Sequence, residues 1–195
     1  MKYKLLQIFS WSLRVAIAMS FPFRTYWNRL YRVAHLNAQL KHKEYSVQCD
    51  GNINIAGTGN VRLGKHVRLG KDTELETMDK GAIEIGNDVR INRGCLLASY
   101  SNITIGDFSM LGEFVSIRDA NHSMELGQPM RLQTHSSEPI RIGKDVWIGR
   151  GVCILPGVTI EEGAVIGANS VVNHNIPAYS IAVGAPCKVV KNRRG

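Results

Sequence analysis

The sequence is poor in cysteine, and its few cysteines follow no metal-binding or redox pattern. They are Cys49, Cys95, Cys153 and Cys187, and no Cys-x-x-Cys motif occurs among the 195 residues. Zinc sites and disulfide frameworks need cysteines at characteristic spacings. We therefore expect reduced thiols in a cytoplasmic protein, and no bound metal.

Long uninterrupted hydrophobic runs are also missing. Residues 5–23 are rich in Leu, Ile, Phe and Trp, but Arg14 interrupts them and Pro22 lies near their end. A transmembrane helix needs about 20 consecutive apolar residues, and no small-residue cleavage site marks a signal peptide. Residues 24–43 add basic side chains among aromatic ones. Three roles stay open for this helical segment: a cap or oligomer contact, attachment to an anionic membrane surface at the inner face of the membrane, or a true span.

Acidic residues are outnumbered, with 16 Asp and Glu against 24 Lys and Arg, so the formal net charge is +8. Such a surplus favours anionic partners. We expect no nucleic acid among them, because no stripe of basic residues interleaved with aromatics and no nucleic-acid-binding motif occurs. A polyphosphorylated cofactor and a membrane surface both fit this charge.

What the sequence does contain is an aliphatic residue at every sixth position. The clearest series is Ile142, Ile148, Ile154, Ile160, Ile166 and Val172, and the same frame occurs earlier in sets such as Ile105, Leu111 and Ile117. A short fixed period predicts a stacked solenoid. The residue two positions before each rung points to the same inward side. Three short strands joined by corners make one coil, and the rungs predict about five coils.

The repeat is interrupted by residues 118–139, which lie between Ile117 and Ile140. Loops of this length without secondary structure are uncommon and are usually functional or disordered. The interruption is polar and contains His122 and His135. An Asn121-His122 dipeptide follows the rung closely, which makes His122 the first candidate for a functional side chain.

Together these features resemble the hexapeptide-repeat O-acetyltransferases, in particular the maltose and galactoside acetyltransferase branch and polysaccharide O-acetyltransferases. The resemblance rests on Asn121-His122, on the segment Asn92-Arg93-Gly94-Cys95 and on Trp147-Ile148-Gly149, and covers about residues 50–191. It implies a mainly β fold, a left-handed parallel β-helix. The implied organisation is a helical segment at 1–48, the β-helix at 49–176 with its inserted loop at 118–139, and a basic tail at 177–195.

The resemblance also implies an acetyl-CoA-dependent O-acetyltransferase that acts on a sugar hydroxyl. The family is trimeric, with the coenzyme in the cleft between neighbouring prisms, so we expect a homotrimer. No Ser or Cys lies in a recognisable nucleophile elbow, which favours direct attack of the acceptor. His122 is then the expected general base, since imidazole titrates near neutrality.

The other expected roles are assigned by matching family positions. Asn92 is expected to orient the acceptor or the thioester, and the main-chain amide of Arg150 to face the thioester oxygen. The residues expected to bind the coenzyme are Trp147, Gly149, Arg150, Ala168, Asn173, His174, Lys188 and Lys191. Tyr100 and Asp119 are expected at the substrate. Asp119, Glu125 or a backbone carbonyl is expected to orient His122.

The acceptor is the open part of this interpretation. The galactoside branch has acidic substrate contacts where this chain has Ser99 and Tyr100. This difference argues against a small free sugar handled in the same way. The hydrophobic, basic N-terminus favours surface-polysaccharide or lipid-linked glycan biosynthesis, and a small free sugar, amino sugar or antibiotic is the alternative. A γ-carbonic anhydrase-like enzyme would need a close histidine pair, and an ice-binding solenoid would need a threonine ladder. Neither pattern is found in the sequence.

Overall fold

The structure, a computed structural model, describes residues 23–195, so the expectations for residues 1–22 lie outside the described part. Residues 23–39 are helical (α1), and a 3-10 helix lies at Met130–Leu132. The strands are β1 (Gln48–Cys49), β2 (Ile53–Gly57), β3 (Val61–Leu63), β4 (Arg68–Leu69), β5 (Thr73–Thr77), β6 (Ala82–Ile85), β7 (Arg90–Ile91), β8 (Leu96–Ser99), β9 (Asn102–Ile105), β10 (Met110–Leu111), β11 (Ser116–Arg118), β12 (Ala120–His122), β13 (His135–Ser137), β14 (Ile140–Ile142), β15 (Trp147–Ile148), β16 (Cys153–Ile154), β17 (Thr159–Ile160), β18 (Val165–Ile166), β19 (Val171–Val172), β20 (Ser180–Val183) and β21 (Lys188–Asn192).

Three sheets of these strands form the faces of a prism. The first sheet has the order β1-β4-β7-β10-β15-β18-β20-β21, the second β2-β5-β8-β11-β16-β19, and the third β3-β6-β9-β14-β17. Neighbouring strands are parallel except for the pair β20–β21, and β12 and β13 form a separate antiparallel hairpin. The predicted left-handed parallel β-helix is confirmed.

The predicted rungs line the core in three inner ladders. In the second sheet, Leu75, Leu97, Ile117, Ile154 and Val172 are stacked in register and fully buried. The ladders extend further than the sequence predicts, because Cys49 and Ile55 stack below the first predicted rungs and Ile176 and Ala182 above the last. The prism therefore has about seven turns, and the predicted five is too low. Strands β20 and β21 lie beyond residue 176, within the segment that the sequence presents as a tail.

One of the three edges of the prism is less regular than the other two. From the first sheet to the second, each inner ladder position advances by six residues, as from Leu111 to Ile117 and from Ile148 to Ile154. From the second sheet to the third, the advance varies from turn to turn: Leu75 is followed by Ile85, and Ile117 by Ile142. We call the first the regular edge and the second the variable edge. The 118–139 insertion is the longest departure at the variable edge.

Helix α1 packs on the first turns of the prism. Val33, Leu36 and Leu40 are buried in the same core cluster as the inner ladders. Residues 23–31 of the helix are exposed on every side, and their large side chains are Phe23, Tyr26, Trp27, Leu30 and Tyr31. A groove of about 470 Å³ lies between α1 and the first two turns. Within residues 23–195, no helix is both long and apolar enough to cross a membrane.

Candidate functional site

The insertion at the variable edge forms an antiparallel hairpin that carries His122. Strands β12 and β13 pair with His122 directly opposite His135. Beyond this pair, the Ser123 amide donates to Thr134 O at 2.9 Å. The buried Gln133 side chain donates to two backbone carbonyls of the loop, those of Glu125 and Gln128. His122 is exposed on this ordered hairpin, so its imidazole is accessible to a ligand.

Asp119 anchors the base of the hairpin from inside the protein. It is fully buried, and its carboxylate accepts hydrogen bonds from the Tyr100 amide at 2.7 Å, the Ser101 amide at 3.0 Å and the Ser99 hydroxyl at 2.8 Å. Its carbonyl accepts from the Glu138 amide at 2.8 Å. These contacts correct the expectation that Asp119 touches substrate or orients His122 directly: its carboxylate holds the loop at 99–101 instead.

Three rings lie together where that loop meets the hairpin. The His122 and His135 ring centroids are 4.2 Å apart with the planes tilted by 46°, and Tyr100 stacks on His135 at 5.1 Å and 23°. The structure thus brings two of the predicted residues, Tyr100 and His122, to one place. His135 was not predicted to belong to the site. The signal that could have revealed it is its position in the same polar loop as His122.

Asn92 lies elsewhere in the chain, at the regular edge. It follows β7, and its amide donates to Leu111 O at 3.0 Å. Strand β8 separates this edge from the variable edge, and a four-residue strand is about 13 Å long. The predicted pair of Asn92 and His122 is therefore not assembled within a single chain.

Arg150 lies at the regular edge too, two turns above Asn92. Its guanidinium and that of Arg93 lie over the Phe114 ring, with centroid distances of 5.6 and 5.5 Å. The Arg150 main-chain amide makes no hydrogen bond within residues 23–195. Such a free amide suits the stabilisation of an oxyanion. Gly149 and Ala168 stack at the same edge, where a Cβ on Gly149 would come within 2.6 Å of the Ala168 nitrogen.

The outer surface of the first sheet changes character along the prism. Its outward ladder is polar in the early turns and apolar later, in the order Gln48, Arg68, Arg90, Met110, Trp147, Val165 and Ile181. Met110 is 44% exposed and Trp147 54% exposed. Apolar residues exposed on consecutive turns indicate a face that a partner or a ligand covers.

The remaining predicted coenzyme residues fall in two places. Asn173 and His174 lie exposed at the variable edge, two turns above the hairpin, with His174 Nδ1 and Asn173 Oδ1 2.9 Å apart. Lys188 and Lys191 lie on β21 at the end of the first sheet, opposite Val183 and Ile181. Both lysines are exposed. The predicted set is thus divided between the two edges and the first sheet.

The cysteines offer no activated nucleophile. All four are free thiols, as predicted. Burial raises the pKa of Cys95, in the Asn-x-x-Cys segment, to about 11, and it raises that of Cys49 to about 11 as well. Thiols are nucleophilic only as thiolates, so neither suits covalent catalysis. Among residues 23–195, no group of three or more His, Cys, Asp or Glu side chains could hold a metal ion.

Comparison with known proteins identifies the family. Residues 139–174 match the model of the bacterial transferase hexapeptide family (six repeats). The Escherichia coli protein WbbJ, named as a lipopolysaccharide biosynthesis O-acetyl transferase, is 32% identical over 145 residues, which make up 70% of this chain and 74% of WbbJ. This chain belongs to the hexapeptide-repeat acyltransferase family.

Other members extend the comparison. A Mycobacterium tuberculosis protein named as an acetyltransferase is 38% identical over 135 residues, which are 69% of this chain but only 45% of that protein. The crystal structure of a Clostridium difficile maltose O-acetyltransferase is 33% identical with a TM-score of 0.54, covering 79% of this chain and 69% of the other. A Bacillus cereus N-acyltransferase, solved with dTDP and coenzyme A, is 25% identical with a TM-score of 0.66, covering 75% and 81%.

Proposed function

We propose that the protein is an acetyl-CoA-dependent O-acetyltransferase that acts on a sugar hydroxyl. The observation that carries the proposal is the hairpin, on which the His122 side chain is exposed. The chain that carries this hairpin belongs to the hexapeptide-repeat acyltransferase family. The names of the relatives support it, because WbbJ and the maltose enzyme are both named as O-acetyltransferases. Coenzyme A in the B. cereus neighbour supports the choice of acyl donor.

His122 acts as the general base. Its imidazole accepts the proton of the acceptor hydroxyl while the hydroxyl oxygen attacks the thioester carbonyl carbon. The main-chain amide of Arg150 donates to the oxyanion that forms, and the carbon–sulfur bond then breaks. The imidazolium returns its proton to the departing sulfur, so the products are the acetyl ester and the free thiol. General acid–base catalysis of this kind contributes roughly 10²–10⁴-fold.

We further propose that the active site forms between two copies in a homotrimer. His122 extends from the variable edge, whereas Asn92 and Arg150 lie at the regular edge, so the catalytic groups meet only when two prisms lie side by side. The apolar ladder of the first sheet, with Met110 and Trp147, supplies surface for such a contact. A cyclic arrangement of three prisms, each joining its variable edge to the next regular edge, closes all three sites.

The coenzyme is proposed to lie along the same cleft. Trp147, Gly149 and Ala168 line its regular-edge side, and Asn173 and His174 its variable-edge side. The exposed ammonium groups of Lys188 and Lys191 are placed near the upper end of the first sheet. Basic side chains there can pair with the pyrophosphate and 3′-phosphate of coenzyme A.

The acceptor is proposed to be a surface-polysaccharide or lipid-linked sugar handled at a membrane surface. The exposed first part of α1, residues 23–31, carries aromatic side chains at helical spacing, including Phe23, Trp27 and Tyr31, and it also carries Arg24 and Arg29. Aromatic and basic residues on one helix suit the interface of an anionic bilayer. Vesicles containing phosphatidylglycerol should bind the full-length protein, and binding should fall for the double variant Trp27→Ala/Leu30→Ala.

The deciding experiment is acetyl-CoA turnover, followed by thiol release, against a panel of sugars, nucleotide sugars and polysaccharides. Amino sugar nucleotides belong in the panel because the B. cereus neighbour is an N-acyltransferase. Activity with at least one sugar acceptor is expected, and His122→Ala should lower it roughly 10²–10⁴-fold. Turnover that survives this substitution would contradict the proposed role of His122. Activity only with small free sugars would favour the alternative acceptor class.

A further inference from the structure

Two members of the ring cluster, His135 and Tyr100, have no part in the chemistry proposed so far. We propose that His135, backed by Tyr100, is a positioning residue that holds the His122 imidazole in its working orientation. The inference rests on the proposed function of His122 as a base. It differs from the expectation that Asp119, Glu125 or a backbone carbonyl orients this ring.

The first step is the register of the hairpin. His122 and His135 are directly opposed in the antiparallel pair of β12 and β13. Directly opposed side chains on one face of a hairpin contact each other and restrict each other's rotamers. The centroid separation of 4.2 Å shows that the two imidazoles are in van der Waals contact. The His122 ring is therefore limited on one side by the ring of His135.

His135 is itself held by a second ring. Its other neighbour is the Tyr100 ring, which is nearly parallel to it, with an interplanar angle of 23°. Tyr100 belongs to the turn at 99–101, and its amide donates to the buried carboxylate of Asp119 at 2.7 Å. Asp119 directly follows β11, so the solenoid fixes the position of its carboxylate. The carboxylate holds the Tyr100 main chain, and the two ring contacts connect Tyr100 through His135 to His122.

The third step explains why such support is needed. Within residues 23–195, the imidazole of His122 makes no hydrogen bond, and its orientation depends on ring contacts alone. The side chain is exposed on an inserted hairpin rather than packed in the core. A general base must lie within hydrogen-bond reach of the proton that it removes. A freely rotating ring would meet this condition for only part of the time.

The test compares variants that remove a ring with variants that keep one. His135→Ala and Tyr100→Leu remove rings from the cluster, whereas His135→Phe retains a planar ring. Misplacement of a catalytic group by about 1 Å can cost up to 10²-fold, so we expect the first two variants to lower kcat by about 10- to 100-fold with an unchanged KM for acetyl-CoA. The His135→Phe variant should retain kcat near the wild-type value. Leu126→Ala, at a 99% exposed position of the same insertion, is the matched control and should leave kcat unchanged.

A second measurement does not depend on activity. In protein with ¹³C-labelled histidine, the His122 signal can be assigned by its loss in His122→Gln. It should show a ring-current displacement that disappears in His135→Ala and persists in His135→Phe. The proposal is overturned if kcat and the His122 signal are unaffected by His135→Ala, or if His135→Phe is as impaired as His135→Ala. If no acceptor is acetylated by the wild type, the proposed function fails, while the NMR comparison still decides whether the rings of His122 and His135 are in contact in solution.

Discussion

The two edges that flank the second sheet follow different rules, although the same sheet joins them. At the regular edge, the step from one inner ladder to the next is six residues, as from Ile91 to Leu97. At the variable edge, successive turns accept extra residues, culminating in the hairpin. One edge supplies fixed backbone groups such as the Arg150 amide, and the other supplies a side chain on an insertion. A solenoid can therefore keep its core register and still vary in length at one corner.

The strongest test of this division is complementation between edges. His122→Ala and Asn92→Ala should each be severely impaired, with the loss at His122 reaching roughly 10²–10⁴-fold. Mixed trimers, prepared by denaturing and refolding the two variants together, should recover activity. In a random mixture, about a quarter of the inter-chain sites pair an intact variable edge with an intact regular edge.

Acetyl-CoA turnover measured before and after co-refolding checks this prediction. Each variant refolded alone is the control for any effect of refolding. Mixtures that remain as inactive as their components would show that His122 and Asn92 act within one chain. Full turnover by Asn92→Ala alone would show that Asn92 has no role in turnover.

The next largest effect concerns the face beside the regular edge. Met110→Arg places a charge in the apolar part of the first sheet's outward ladder, next to Trp147. If that part packs against a second copy, a buried unpaired charge should dissociate the trimer. Sedimentation at micromolar concentration measures the change. Thr104→Arg makes the same kind of change on the third sheet, whose outward ladder pairs Thr104 with Glu84 and Arg141, and should leave the assembly intact.

Removing the carboxylate that supports the variable edge should have an intermediate effect on the free energy of unfolding. Asp119→Ala leaves the amides of Tyr100 and Ser101 and the hydroxyl of Ser99 without their acceptor, which should cost about 1–3 kcal/mol. The midpoint of urea unfolding at a fixed protein concentration reports this loss. Glu84→Ala is the control, because its ion pair with Arg62 is exposed and 3.8 Å long. Exposed pairs contribute about 0–1 kcal/mol, so a similar loss in both variants would argue against a special role for Asp119.

The smallest predicted effect comes from Cys95, whose buried thiol has its pKa raised to about 11. Since the folded protein holds this proton more tightly than the unfolded chain, the contribution to stability is fully present below about pH 8.5 and is lost as the pH rises toward 11. Melting temperatures measured between pH 8 and pH 10.5 should therefore fall less steeply for Cys95→Ala than for the wild type. Parallel slopes would contradict the burial of this thiol.

The regular edge explains how much of the fold the sequence predicts. A six-residue spacing is visible without any structure, and it places Ile154 and Val172, three units apart, on one inner ladder before the strands are known. The frame is lost where the variable edge inserts residues, and the outermost rungs, Cys49 and Ala182, are not the large aliphatic residues that reveal the repeat. The basic residues of strand β21 predict a tail, and the structure shows an exposed strand there.

The site was predictable to a smaller extent for a related reason. His122 follows a rung closely, so its emergence from the solenoid could be read from the sequence. The contact with His135 depends on the register of a hairpin that has no repeat to define it. The role of Asp119 depends on the turn at 99–101, which is close to it only because successive turns are stacked. Neither contact can be predicted from the residues that are adjacent in the sequence.

The stacking of turns also fixes the distances between features along the prism. The groove beside α1 lies against the first two turns, and the hairpin leaves the fourth. Parallel strands are spaced by about 4.8 Å, so each complete turn sets these two features about 4.8 Å further apart. Adding or deleting one whole turn would change that distance in a single step without altering which side chains face the core. The number of turns therefore sets the distance between the groove and the hairpin, in steps of one turn.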